Sequence, residues 1–459
     1  MPLRDIFIVL ALLVLLVCSL RKPQLGLLGW LWISIMNPHK ESFGFIASMP
    51  VLDGLAAFTI LGCIINWKDR AEAEFLPVLK VLLAFYLWCT LTTLFAVNPR
   101  AAWMRWEEFS KTLLLIMLML RFMNKKHWII AACGVFVLSM SYTALKGGIF
   151  TIVTGGGHHV WGPATAVWGS NNGVSLALIM LIPLAIGISK VFERRSYQMA
   201  PLFVALCSFF AVLGTQSRGG LVGLLAMGGA MVLRTKKKFL ALVLVPVVLA
   251  TGFVFMPQSW HGRMATILTP SEEGSASTRL IQWQYAIDIS LERPFFGNGF
   301  DAFFYKPYYY RYVGDKDNNR AVHSNVFQVL GEQGYIGLAL YVSLFALLVM
   351  SSKKYALLAK GRKDLVWAAS LVGMMQFSVI GCAFNGATLN LAYVDLFYYI
   401  LAFTALLCSH IRKELGMQPL AQAKLRRPGP HGLRPQPGYG DHRVNRYASA
   451  QGPRGQLPR

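Results

Sequence analysis

The sequence predicts an all-α polytopic membrane protein of 12 or 13 transmembrane helices, with one large outward loop that carries amphipathic helices. Three observations lead there. Of 459 residues, 55% are hydrophobic and only 14% charged, a balance foreign to a soluble domain. Apolar stretches close to the length of about 20 residues that crosses a bilayer recur along the chain. Between two of them lies one long polar segment, residues 257–323, holding seven of the 21 acidic residues and seven basic ones.

In chain order, the qualifying stretches are 5–20, 48–66, 75–97, 107–122, 128–150, 172–190, 199–215, 219–233, 238–256, 333–351, 365–385 and 391–410. The piece 24–36 is short, either a thirteenth span or one arm of a hairpin. The first stretch runs into Cys18-Ser19-Leu20-Arg21-Lys22 with no small-residue cleavage site, so it reads as an anchor rather than a signal peptide. All seven cysteines fall inside apolar stretches and none has CxxC spacing. They read as small core hydrophobes, not disulfides or metal ligands. No repeat of fixed period is evident. The chain therefore divides into an N-terminal bundle (1–256), a polar loop (257–323), C-terminal transmembrane helices (324–412) and a basic tail (413–459), rich in Pro, Gly, Arg and Gln and expected to be disordered.

The net charge of +23 raises nucleic acid as a partner, but its placement argues against it. Basic clusters sit at Arg121/Lys125/Lys126, Lys190/Arg194/Arg195, Arg234/Lys236/Lys237/Lys238 and Lys353/Lys354/Lys360/Arg362/Lys363, and the chain from Arg412 on adds ten Lys/Arg against two acids. They alternate with Lys/Arg-poor connections, the pattern of cytoplasmic loops. On that reading 257–323 faces outward, as do 154–171, 215–218 and 386–391. The C-terminus is cytoplasmic, and the side of residue 1 depends on the piece 24–36.

Four outward segments could carry chemistry. Gly214-Thr215-Gln216-Ser217-Arg218-Gly219-Gly220 puts an arginine at a helix N-terminus, where guanidinium and free N–H groups bind anions; the alternative is a snorkelling arginine at a tight turn. In the segment from Ser277 to Ile287, Ser277 or Thr278 can cap a helix. Leu280, Trp283 and Ile287 would then share one face of an interfacial amphipathic helix, with Arg279 in its first turn, poorly placed for the helix dipole unless an anion is near. Arg293-Pro294-Phe295-Phe296-Gly297-Asn298-Gly299-Phe300 marks a turn, and the aromatics that follow serve lipid-interface anchoring or sugar stacking. His323-Ser324-Asn325 closes the loop, and a histidine there is either structural or a base titrating near neutral pH. Lys146, toward the outer end of a span, is placed to help bind a lipid carrier. Asp395, inside the last span, reads as a structural partner for a buried arginine or as part of a polar cavity.

Together and in order, SRGG, R-x3-W, PFFGNGF and HSN…GEQGYIGL resemble the signature of the bacterial O-antigen ligase and Wzy-type polymerase superfamily. Gly155-Gly156-Gly157-His158-His159-Val160-Trp161-Gly162-Pro163, with Asn171-Asn172, is similar more closely to the exosortase-associated O-glycosylation ligases. The likeness spans residues 1 to about 412, departing at His159, where a basic residue is expected, and at 164–167. It implies a GT-C-like glycosyltransferase that moves a glycan en bloc from undecaprenyl diphosphate to lipid A–core, or to a protein, at the periplasmic face of the inner membrane. Arg218 and Arg279 become the expected diphosphate contacts and His323 the expected base. Trp161, Trp283, Asn325 and Lys146 are further expected substrate contacts. No metal or other cofactor is expected, since the loop lacks clustered carboxylates outside turns. Alternatives are a polysaccharide polymerase or, from another class, a lipid-linked oligosaccharide flippase. A flippase should carry charges through its spans and broken helices at midplane, whereas here polar residues gather at one face.

Overall fold

The computed structural model describes residues 3–42, 44–71, 76–235, 252–265, 274–314 and 321–417, with isolated positions at Phe239, Val247 and Ala250. The stretch expected at 238–256 falls largely outside these, as do Glu272, Glu273, Asp315, Lys316, Asp317, Arg320 and the tail after Met417. Among the described residues there is no strand. Helices follow in order: α1 (Leu3–Arg21), α2 (Pro23–Met36), α3 (Val51–Ile65), α4 (Pro77–Leu94), α5 (Pro99–Phe122), α6 (Lys126–Val153), α7 (Asn171–Ser189), α8 (Arg195–Gly214) and α9 (Arg218–Arg234). The loop region carries α10 (Gln258–Ala265), α11 (Gly274–Glu292) and α12 (Lys306–Tyr312). Then come α13 (Asn325–Leu358), α14 (Val366–Gly386) and α15 (Asp395–Glu414).

Local sequence explains the starts. Pro23, Pro77 and Pro99 open α2, α4 and α5, where a missing N–H costs nothing and φ is already helical. Ser170, Ser217 and Ser324 cap α7, α9 and α13, each side chain accepting a first-turn N–H. Among the described residues, six helical segments are long and apolar enough to cross a membrane: Pro77–Leu94, Lys126–Val153, Asn171–Ser189, Arg195–Gly214, Asn325–Leu358 and Lys363–Gly386. Three shorter apolar helices stand beside them, Ile8–Arg21, Pro23–Met36 and Val51–Ile65. The piece 24–36 is thus a helix in its own right. The cysteines are all free, six of them buried.

α7 is hydrophobic on every side and almost wholly buried, the expected fate of such a helix; α6, α8, α9 and α14 surround it. The basic clusters near Arg121/Lys126, residues 353–363 and Arg412 come together at one end of the bundle. There the Ala71 N–H donates to the Arg121 carbonyl at 2.7 Å, the Lys126 ammonium lies 5.5 Å from the Trp367 ring, and Arg412 Nη1 donates to the Tyr355 hydroxyl at 3.2 Å. Asn66 Nδ2 reaches the Leu20 carbonyl at 2.8 Å, so α1 also ends there. Its start lies at the other end, where Ser42 Oγ donates to buried Asp5.

Three expectations change. α11 starts at Gly274, so Ser277 and Thr278 lie within the helix and Arg279 is its sixth residue. Its buried face is Gln282, Tyr285, Ala286 and Ile289, while Leu280 is 62% exposed. That face packs with Phe303, Tyr309 and Val322 into a core of the loop's own. Phe300, Phe303 and Tyr309 are consequently interior rather than anchors, although Phe295 and Phe296 stay exposed. Asp395 lies in the first turn of α15 and accepts the Leu396 N–H at 2.9 Å. Arg412, the buried arginine of that helix, bonds Tyr355 instead.

Candidate active site

The start of α13 gathers the motifs. His323 precedes its cap in a left-handed backbone (φ +50°), which costs a β-substituted residue about 1–2 kcal/mol. Asn325 is buried, and its Oδ1 accepts the Leu391 N–H at 2.7 Å. One turn on, Gln328 Oε1 accepts the Ala392 N–H at 3.1 Å. These two amides fix the α14–α15 connection against the residues that follow His323.

Arg218 opens α9, which packs against α14 and the same connection. A Cβ on Gly219 would collide with Thr388 Oγ1, and one on Gly223 would lie 2.9 Å from Asn385 Cβ. The glycines after Arg218 therefore allow α9 to approach α14 closely. The turn before it is held from three sides. Val160 N–H donates to the Gly214 carbonyl at 2.9 Å, Asn171 Nδ2 to the Thr215 carbonyl at 3.1 Å, and Arg263 Nε to the Gln216 carbonyl at 3.1 Å. His159, the departure in the glycine-rich loop, has Nδ1 3.4 Å from the Thr215 carbonyl.

Arg279 approaches from the loop. One turn after it, Trp283 Nε1 donates to the Val322 carbonyl at 3.1 Å. The same indole stacks on Phe327 with centroids 5.1 Å apart. Trp283 and Asn325 thus have structural bonds that hold the Arg279 and His323 segments in place. Arg218, Arg279 and His323 are each half-buried; α11 is tied to Val322, and α9 and Asn325 both reach residues 385–391. Among the described residues, no three His, Cys, Asp or Glu side chains are grouped as metal ligands would be.

Residues 203–342 match the family described as O-Antigen ligase. This segment supports an O-antigen ligase/Wzy-type superfamily assignment. Residues 3–193 match a family of unknown function (DUF5935). No curated protein matches the chain significantly. The O-antigen ligase segment contains Arg218, Arg279 and His323. The match supports a glycan-transfer function of the ligase or polymerase type, which in general implies a lipid-linked glycan donor and an acceptor, and with the apolar helices it supports a multi-pass membrane protein.

The PFFGNGF motif proves to be a structural lock of this segment. α13 breaks at Gly334 (φ +68°, ψ −173°), and the turn 294–299 fills the break. Tyr335 N–H donates to the Pro294 carbonyl at 2.8 Å, and Gly299 N–H to the Glu332 carbonyl at 2.8 Å. Asn298 Nδ2 donates to the Ile289 and Gly331 carbonyls, both at 3.0 Å. Gly297 (φ +67°) would place a Cβ 2.5 Å from the Glu332 carbonyl oxygen and the Gly334 nitrogen, so no side chain fits. Beside the turn, Arg105 Nε lies 3.5 Å from Asp301 Oδ2. Burial pushes the Asp301 carboxyl above the usual carboxylate range, with the Arg105 guanidinium pulling the other way.

Lys146 and Trp161 line a separate cavity of about 550 Å³ between α2, α6 and the loop 159–164. Lys146 Nζ lies 5.9 Å from the Tyr142 ring centroid, and Trp161 is 62% exposed. Arg218, Arg279 and His323 do not line this cavity. The residues that sequence reasoning missed lie in a third place, on α5. Glu107, Glu108 and Lys111 stood as charges inside an expected span, itself the signal of a polar site.

Proposed function

We propose that the protein is an O-antigen ligase: a metal-independent, inverting glycosyltransferase that transfers a glycan en bloc from undecaprenyl diphosphate to lipid A–core at the periplasmic face of the inner membrane. The observation that carries this is that three cationic or basic motif segments fall within the O-antigen ligase match, with α11 bonded to Val322 and with α9 and Asn325 both reaching residues 385–391. His323 takes the proton of the acceptor hydroxyl as its oxygen attacks the anomeric carbon. The bond from that carbon to the diphosphate breaks, and the pair leaves with undecaprenyl diphosphate. Arg218 and Arg279 meet the charge that develops on the leaving group, a task suited to the bidentate guanidinium. Attack opposite the leaving group inverts the anomeric centre. Residues 257–323 form the periplasmic catalytic loop, and Lys146 and Trp161 contact the lipid carrier from their cavity. The likeness of 155–172 to the exosortase-associated O-glycosylation ligases favours protein as the alternative acceptor.

Purified protein in nanodiscs, given lipid-linked donor and lipid A–core, tests the proposal. His323→Ala should lower transfer by roughly 100-fold or more, the scale of a lost general base, while donor still binds. Full transfer by that variant would remove the base role. Arg218→Ala with Arg279→Ala should abolish donor binding, and retention of binding would dismiss the diphosphate role. A chelator should leave the wild-type rate unchanged.

A further inference from the structure

A recess of about 370 Å³ opens at the same end of the bundle, between the α2–α3 connection, α5, α13 and the start of α15. Its position relative to the motifs is informative. Gln328, one turn past Asn325, forms part of its wall, as do residues from Asn390 to Asp395. Gly219, next to Arg218, touches the near side of the same connection at Asn385 and Thr388. Gly219 and the recess thus both border the α14–α15 connection, which Asn325 and Gln328 hold. An inverting displacement brings the acceptor from the side opposite the leaving diphosphate, so an acceptor site is expected close to the motifs and apart from Arg218, which does not line the recess.

Its chemistry is that of a sugar site. The charges are compensated: Lys111 Nζ pairs with Asp53 at 2.8 Å and Arg105 Nη1 with Glu108 at 2.8 Å. No excess of cations invites a phosphate. Trp168 and Tyr399 form part of its wall. The polar atoms on its wall without hydrogen-bond partners include Nδ1 of His39, a residue only 2% exposed, and Oδ1 of Asn390. Buried polar atoms normally find partners, and a ring of hydroxyls offers both donors and acceptors. The volume falls in the range of small-ligand pockets, roughly 300–1,000 Å³.

Resting on the glycan-transfer reading above, we propose that this recess is the acceptor site, that it takes a carbohydrate acceptor, and that His39 and Asn390 hydrogen-bond its hydroxyls. Full-length protein in nanodiscs, wild type against His39→Gln and Asn390→Ala, provides the test. The probe is core oligosaccharide freed of acyl chains, with binding read by saturation-transfer NMR and transfer by acceptor and donor KM. Each variant should weaken oligosaccharide binding and raise acceptor KM roughly tenfold, the loss of one or two hydrogen bonds. Donor KM should stay within about twofold of wild type, since Arg218 and Arg279, the proposed diphosphate contacts, do not line the recess. Unchanged acceptor KM in both folded variants would overturn the assignment. So would wild-type transfer to a peptide with no binding of the oligosaccharide, which leaves glycan transfer itself intact. Oligosaccharide binding that is sensitive to the variants, without transfer by the wild type, would uphold the recess and overturn the ligase reading instead.

Discussion

His39 is the residue most exposed to acid consequences at this end of the protein. It is buried, its Nδ1 has no partner, and Lys40 follows it. Burial first, and the Lys40 charge second, hold its pKa below the ordinary 6.5. The folded state thus disfavours the imidazolium. The stability tied to this group is complete above 6.5 and is lost as pH falls from there through the lowered folded value. Asp53, Glu108 and Asp395 share the recess with it, so the slope must be read by difference. Melting temperatures of wild type and His39→Gln should converge as the pH is lowered from about 7.5 to about 5; parallel curves would refute the assignment. No sequence pattern distinguished His39, because a lone histidine after an apolar stretch looks the same whether buried or wet. His323 was legible because it stands in a motif, and its left-handed backbone is strain of the kind that collects at functional sites.

At the level of elements, close approach of α9 to α14 positions Arg218. Gly219→Ala would drive a methyl group into Thr388 Oγ1, an overpacking cost of about 1–3 kcal/mol. Lower melting temperature and slower transfer are expected, with partial recovery when Thr388→Ala is added, because neighbours that share a clash do not act additively. A single variant indistinguishable from wild type would show that the approach is looser. The helices themselves were readable from apolar length, and their starts from Pro23, Pro77, Pro99, Ser217 and Ser324. The register of α11 was not. Leu280, Trp283 and Ile287 form an apolar stripe as good as Tyr285, Ala286 and Ile289, and only the loop's own core selects the second. Nor could PFFGNGF be seen as the filler of a helix break, since its partners, 331–335, lie some distance along the chain.

For the whole molecule, the basic clusters at one end and the motifs at the other make orientation testable. In a Cys18→Ser background, where the remaining native thiols are buried, Trp161→Cys should react with an impermeant maleimide in intact spheroplasts. Lys360→Cys should react only after permeabilisation, and the reverse order would invert the orientation. The sequence by itself determined that the chain is a helical membrane protein and where its motif segments stand along the chain. Those properties follow from local apolarity and from residues that act as neighbours along the chain. Only the tertiary structure decided that α9 and the start of α13 reach one connection, that Lys146 and Trp161 line a cavity that His323 does not line, and that a charge-compensated recess borders the same connection. Each depends on long-range close approach, set by glycines and buried amides whose partners the linear order does not reveal.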